Sequence, residues 1–276
     1  MNLNIGLIGI GFVGSSMLKS FKEKDIKVKA YDKFNNIYDK FNDCLNSNII
    51  FLCLPTKFDE TINQYNKESI YEVCSDLSKN NYNGLVVIKS TIETGTTEKI
   101  SNKFSNLNIA HNPEFLTART AYEDFHNQEH IVIGSALNCD SKYIDNLYNF
   151  YNYYYPKAEI SICTSNESES MKLFVNCFYS VKIQFFNEIF LLTEKINNCS
   201  FDKVVSLMIK NNWINPMHTQ VPGPDGKLSY GGACFPKDTN ALLNLMKINN
   251  TPHNVLESTI KERNNMRNDY FNIIKK

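Results

Sequence analysis

The sequence predicts an α/β chain: a doubly wound, mostly parallel sheet followed by an all-helical domain built on one long helix. Three observations carry this. Short apolar runs rich in β-branched residues alternate with helix-like stretches through the first half. A glycine-rich turn, Gly9-Ile10-Gly11-Phe12-Val13-Gly14, follows the first run. From Asn166 to about Asn197 there is neither Pro nor Gly, and apolar residues recur at three- and four-residue steps. Apolar runs bounded by turn residues mark strands buried on both faces, and helices between them imply right-handed crossovers.

In order, the expected strands are Leu3–Ile8, Lys27–Tyr31, Asn48–Leu54, Gly84–Lys89, Leu107–Ala110, Ile131–Gly134 and Ala158–Ile162. The long helix follows from Met171, Phe174, Val175, Phe178, Val181, Phe185, Ile189 and Leu192, and runs for roughly eight turns. A second helix is expected at Phe201–Lys210. Asn215–Gly232 holds three prolines and four glycines and reads as a loop. Two further helices are expected at Asp238–Lys247 and Pro252–Ile274. The division is therefore 1–165 for the sheet domain and 166–276 for the helical one, a total length that suits two modest domains.

Composition excludes several classes. The chain balances 29 Lys+Arg against 29 Asp+Glu, so it lacks the basic footprint of a nucleic-acid protein. At 42% hydrophobic residues it is too apolar to be disordered. No stretch is long and apolar enough for a membrane span. The uncharged start through Leu18 is broken by four glycines and lacks a basic beginning, so no signal peptide is expected. None of the eight cysteines form a C-x-x-C pair, so no metal site is expected and free thiols in a reducing, cytoplasmic setting are.

The glycine turn fits G-x-G-x-x-G between a strand and a helix. The first glycine makes the tight turn, the second admits a pyrophosphate, and the third packs helix on strand, which makes the sheet domain Rossmann-type. The helix N-terminus offers free N–H groups to phosphate. Asp32 stands 18 residues past Gly14, where a carboxylate accepts from a ribose 2′-OH and repels a 2′-phosphate. NAD, rather than NADP, is the expected cofactor.

Other segments fall at the carboxyl ends of strands, where open α/β sheets bind ligands. Lys89-Ser90-Thr91 closes the fourth strand and is either a ligand contact or the cap of a helix beginning near Glu93. Glu114, in Asn112-Pro113-Glu114-Phe115-Leu116, is either a general base or an acid favoured at a helix start. Glu169, Lys172 and Asn176 share nearly one face of the long helix. Lys172 and Asn176 are donors for an oxyanion, unless the face is only a solvated stripe. In Gly231-Gly232-Ala233-Cys234-Phe235-Pro236-Lys237-Asp238, the glycines permit close approach. Cys234 stands before a helix N-terminus and near Lys237, a setting that favours thiolate. The other seven cysteines are expected as small buried apolar groups.

Together these segments resemble the UDP-glucose/GDP-mannose dehydrogenase family, in its UDP-glucose 6-dehydrogenase type. The matches, in family order, are Gly9–Gly14, Leu54-Pro55-Thr56, Ser90-Thr91, Asn112–Leu116, Glu169–Asn176, Asn187-Glu188 and Gly231–Asp238. The resemblance implies oxidation of a sugar C6 alcohol to the carboxylate, UDP-glucose to UDP-glucuronate, with two NAD reduced per sugar. It implies a thiohemiacetal and then a thioester on Cys234, with Glu114 as base, Thr91 and Asp238 holding the water, and Lys172 and Asn176 steadying the oxyanion. It assigns the dinucleotide to Gly9, Gly11, Phe12, Val13, Gly14, Asp32, Lys33, Pro55, Thr56, Ser90, Thr91 and Lys237. It assigns the sugar nucleotide to Glu114, Phe115, Leu116, Lys172, Asn176, His218, Tyr230, Gly231 and Gly232. It also implies a homodimer through the long helix.

Three departures are visible. The chain stops at Lys276, where the family pattern leads into a C-terminal nucleotide-binding domain, so a short form is expected. Ala118 stands where the family often has Glu. His218 stands where the family has an Arg that reaches the partner subunit's substrate. The alternatives are another sugar nucleotide, such as GDP-mannose or UDP-N-acetylmannosamine, a single-oxidation β-hydroxyacid dehydrogenase, and a non-catalytic NAD-binding dimeric remnant.

Overall fold

The computed structural model describes residues 3–117 and 119–269. They form two compact units, Met1–Lys57 with Tyr65–Lys172, and Phe58–Gln64 with Leu173–Lys276.

The first unit is a seven-stranded sheet. Its strands are β1 (Ile5–Ile8), β2 (Val28–Tyr31), β3 (Ile49–Leu52), β6 (Leu85–Ile88), β7 (Asn108–His111), β8 (His130–Ser135) and β9 (Glu159–Thr164), while β4 (Phe58–Asp59) and β5 (Gln64–Tyr65) make a short separate hairpin. Each expected strand is present within a few residues of its expected bounds. The spatial order is β2-β1-β3-β6-β7-β8-β9. All neighbours are parallel except β7 and β8, which pair antiparallel through Ala110↔Ser135 and His111↔Gly134. The order reverses at β1, so a crevice opens beyond the carboxyl ends of β1 and β3.

Alternation along the strands divides the core into two layers. Ile5, Leu7, Ile49, Phe51, Leu85 and Val87 face one side. There they meet α1 (Phe12–Glu23), α5 (Ala121–His126) and α6 (Ser141–Tyr154), through Met17, Phe21, Phe125, Leu147 and Phe150. Ile8, Ile50, Leu52, Val86 and Ile88 face the other side. They meet α2 (Phe41–Cys44), α3 (Glu68–Lys79) and α4 (Thr96–Lys103), through Cys44, Ile70, Cys74, Leu77 and Ile100. Burial on both faces explains why the strands carry so little polar alternation.

The second unit is helical. It contains most of α7 (Ser165–Thr193), then α8 (Phe201–Met208), α9 (Phe235–Ile248) and α10 (Asn254–Met266). Leu173 and Cys177 of α7 pack with Leu242 of α9 and Leu256 and Ile260 of α10. Further along α7, Phe186 packs with Phe201 and Val205 of α8. Residues 209–234 contain no regular element.

The last helix is shorter than expected. It stops at Met266, because Arg267 turns to extended backbone (φ −142°, ψ 142°). There its guanidinium reaches the Leu228 and Ser229 carbonyls and the carboxylates of Asp225 and Asp269. The remainder of the expected helix, to Ile274, lies outside the described residues. Among the described residues, no helix is long and apolar enough to cross a membrane.

Candidate active site

The glycine turn has the shape its spacing predicts. Gly9 sits at φ +91°, and a Cβ there would press on the Cys53 carbonyl. A Cβ at Gly14 would overlap the Gly9 carbonyl oxygen. At Gly11 a Cβ would meet nothing within 4 Å. Two glycines are therefore demanded by packing and one faces open space. The first turn of α1, with Phe12 and Val13, carries no acidic residue, so its dipole and unpaired N–H groups are uncompensated. Asp32 ties the turn to β2. Its Oδ2 accepts from the Ile10 N–H at 2.8 Å and its Oδ1 from the Phe34 N–H at 2.9 Å. This cradle fits a dinucleotide: open approach at the middle glycine, phosphate donors behind it, and a carboxylate at the ribose position.

Pro55, Thr56, Ser90 and Thr91 line the same edge of the sheet, while Lys237 stands on α9 in the second unit. Ser90 Oγ donates to the Leu54 carbonyl at 2.6 Å and accepts from the Leu54 N–H at 3.1 Å. Thr56 Oγ1 donates to the Thr91 carbonyl at 2.8 Å. Pro55 and Thr56 thus end β3 stitched to the end of β6. The capping alternative for Ser90-Thr91 fails, because α4 begins at Thr96 after Gly95. Lys33 is exposed and pairs with Glu72 at 2.7 Å.

Glu114 is not at a helix start; residues 112–117 are irregular and α5 begins at Ala121. Its Oε2 accepts from the Leu116 N–H at 2.6 Å. Its Oε1 lies 3.3 Å from Lys172 Nζ, with side chains 12% and 7% exposed. Lys172 also stands over the Phe115 ring at 5.4 Å. The structure therefore brings the expected base and the expected oxyanion donor into one nearly buried ion pair. Such a pair is costly to bury unless good geometry and further hydrogen bonds offset the lost hydration.

Glu169 leaves this group. Its Oε2 accepts from the Gly95 N–H at 2.6 Å, and its Oε1 from the Thr97 N–H at 2.7 Å. It caps the start of α4, and burial pushes its carboxyl up to about 7.

In the second unit, Asn176 Nδ2 donates to Asp238 Oδ2 at 2.6 Å, and Lys237 Nζ lies 2.5 Å from Asp238 Oδ1. Asp238 is fully buried. Cys234 is the N-cap residue of α9, and Pro236 stands in its first turn. Among the eight cysteines Cys234 alone is exposed; three others are buried and four half-buried. Burial holds Cys53 and Cys74 up at about 12, so those thiols stay protonated. The expectation of buried thiols is thus met fully at Cys44, Cys74 and Cys177, and only partly at Cys53, Cys139, Cys163 and Cys199.

The Tyr230–Gly232 segment is anchored from behind. Tyr230 is buried, and its carbonyl accepts from Arg263 Nε at 3.1 Å. Gly231 has no room for a Cβ, because the Arg267 guanidinium fills that space, and Gly232 takes φ +80° in open space. Asn187 Oδ1 accepts from the Ser229 N–H at 2.8 Å. His218 packs between the rings of Tyr179 and Phe235, and burial, with help from Lys182, keeps its imidazole below the usual range. It is therefore neutral at pH 7 and does not supply the charge of an arginine. Ala118 lies outside the described residues.

Sequence reasoning did not single out Arg263 or Arg267, and took Lys89 only as the first residue of Lys89-Ser90-Thr91; all three are nearly buried. A basic residue after a strand or near a helix end reads as solvated, and only distant partners reverse that. The signal available was Gly231, which had to be small because an arginine lies against it.

Known proteins resemble this chain over most of its length. Residues 33–152 match the model of the UDP-glucose/GDP-mannose dehydrogenase family, NAD binding domain, and residues 166–265 match that family's central domain. The chain is 28% identical to the UDP-glucose 6-dehydrogenase of Campylobacter jejuni, over 98% of this chain and 74% of that one. It is 34% identical to that of Rickettsia typhi, over 83% of this chain and 51% of that one. It thus spans about half the length of most of the curated relatives it matches. A UDP-glucose dehydrogenase structure from Pyrobaculum islandicum superposes with a TM-score of 0.85 at 20% identity, covering 96% of this chain and 68% of that one, which establishes the shared fold.

Proposed function

Because the chain belongs to the UDP-glucose/GDP-mannose dehydrogenase family, a family of NAD-dependent oxidoreductases, we propose that it oxidises the C6 alcohol of a nucleotide sugar to the carboxylate. UDP-glucose, yielding UDP-glucuronate, is the first substrate. That choice over GDP-mannose or UDP-N-acetylmannosamine rests on the curated relatives, which carry the UDP-glucose name.

NAD, when bound, accepts the hydride removed at each of the two oxidations. The chain's own residues do the rest. Lys172 and Asn176, one turn apart on α7, donate to the C6 oxygen as it becomes anionic. The Cys234 sulfur adds to the aldehyde carbon, and its proton passes to the aldehyde oxygen to give a thiohemiacetal. Loss of the second hydride and the hydroxyl proton leaves a thioester. Glu114 then takes a proton from a water held by Thr91 and Asp238. The resulting hydroxide attacks the carbonyl, the C–S bond breaks, and carboxylate and thiol are released. A covalent intermediate keeps the aldehyde from escaping between oxidations.

One observation carries this reading: the single exposed thiol heads α9, whose buried Asp238 is held by Asn176. The test is Cys234→Ser. It is expected to bind NAD as the wild type does and to form no uronate. Uronate formation at the full rate by that variant would defeat the thioester route.

The proposed assembly is a homodimer through α7. Phe174, Phe178, Phe185 and Leu192 are each at least half exposed along that helix, an apolar stripe too large for a solvated surface. The proposed location is the cytoplasm, in keeping with eight cysteines that form no disulfide with one another.

A further inference from the structure

Lys89 directly follows the last residue of β6, yet it is only 2% exposed. Its Nζ donates to Asn112 Oδ1 at 2.9 Å and to the Pro113 carbonyl at 3.3 Å. Asn112 is fixed on its other sides as well. Its N–H donates to the Ile88 carbonyl at 2.9 Å, and its Nδ2 to the Val132 carbonyl at 2.6 Å. Tyr151 Oη donates to its Oδ1 at 2.5 Å. An ammonium held among neutral oxygens is expensive to bury, and an apolar side chain of similar length would pack here at less cost. The next residue along this turn is Glu114.

We propose that Lys89 is a positioning residue for Glu114: its buried ammonium clamps the Asn112-Pro113 turn and keeps the adjoining carboxylate aimed. This rests on the reading of Glu114 as the base. The titratable groups around Lys89 are Cys53 at the end of β3, His111 on β7, Glu114, Tyr151 on α6 and Lys172 on α7. Burial keeps Cys53 and Tyr151 protonated and His111 neutral at pH 7. Burial also lowers the Lys89 ammonium to about 8, so the clamp loses its charge above that pH.

The test reads the Glu114 carboxylate directly, by carbon-13 NMR of a glutamate-labelled chain at pH 7, with Glu114→Gln to assign the signal. Lys89→Met is expected to split or broaden the assigned signal as the freed turn lets the carboxylate sample more than one orientation, and Lys89→Arg to restore the single sharp signal of wild type. In turnover, Lys89→Met is expected to lower kcat about tenfold with KM within about twofold. A merely structural lysine would change the melting temperature and leave the Glu114 signal single and sharp. A single sharp signal in a folded Lys89→Met chain overturns the proposal. Should that variant not fold, Lys89→Gln carries the same measurement. The NMR measurement needs no substrate, so failure of the wild type to oxidise any nucleotide sugar overturns the functional reading alone.

Discussion

Gly11 and Gly14 occupy one short turn and differ in what they tolerate. A methyl at Gly14 would strike the Gly9 carbonyl, so Gly14→Ala is expected to cost about 1–3 kcal/mol in stability, read as a lowered urea midpoint. A methyl at Gly11 enters open space at φ −78°, so Gly11→Ala is expected to fold within about 0.5 kcal/mol of wild type. It is nonetheless expected to lose NAD affinity by at least about tenfold in calorimetry, because the methyl occupies the pyrophosphate's approach. Equal NAD affinity in that variant would remove the cradle from the account. His111 carries a pH effect. Burial lowers its imidazole to about 3 against 6.5 in the unfolded chain. Above pH 6.5 both states are neutral; below it the unfolded state takes a proton that the folded state refuses, so stability falls from pH 6.5 toward 3. Between pH 7.5 and 5, wild type is expected to lose about 2 kcal/mol more than His111→Gln. At this scale, Asp32, Glu114, Lys172, Asn176, Cys234 and Asp238 stand out as candidates because residue type and local spacing suggest such chemistry. The burial of Lys89 was not legible, since it depends on Asn112 and Tyr151, distant in sequence.

At the scale of elements, apolar runs revealed the strands because both sheet faces are covered. The direction of β8 was hidden, because a strand's side-chain pattern is the same read either way. The hairpin of β4 and β5 was also missed; two-residue strands leave no period to detect. The end of α10 escaped for a different reason: Arg267 could continue a helix, and it leaves one only to reach Asp225, Asp269 and two loop carbonyls. The start and course of α7 were plain from its unbroken apolar period. That helix also carries the proposed dimer seam. Phe178→Glu, placing a charge on the exposed stripe, is expected to convert a dimer to a monomer in light-scattering chromatography, without loss of helix content. A wild type that already runs as a monomer would rule the seam out.

For the whole molecule, the proposed route draws on residues of both units. The first holds the dinucleotide cradle and the Glu114–Lys172 pair; the second holds Cys234 and the Asn176–Asp238–Lys237 group. On the proposed route the Cys234 thiol captures the aldehyde for a second oxidation, so the number of hydrides removed per sugar is the quantity that discriminates. The purified chain, supplied with excess NAD and a limiting amount of UDP-glucose, is predicted to form about two NADH for each sugar consumed. One NADH per sugar, or none from any nucleotide sugar despite bound NAD, would contradict the account.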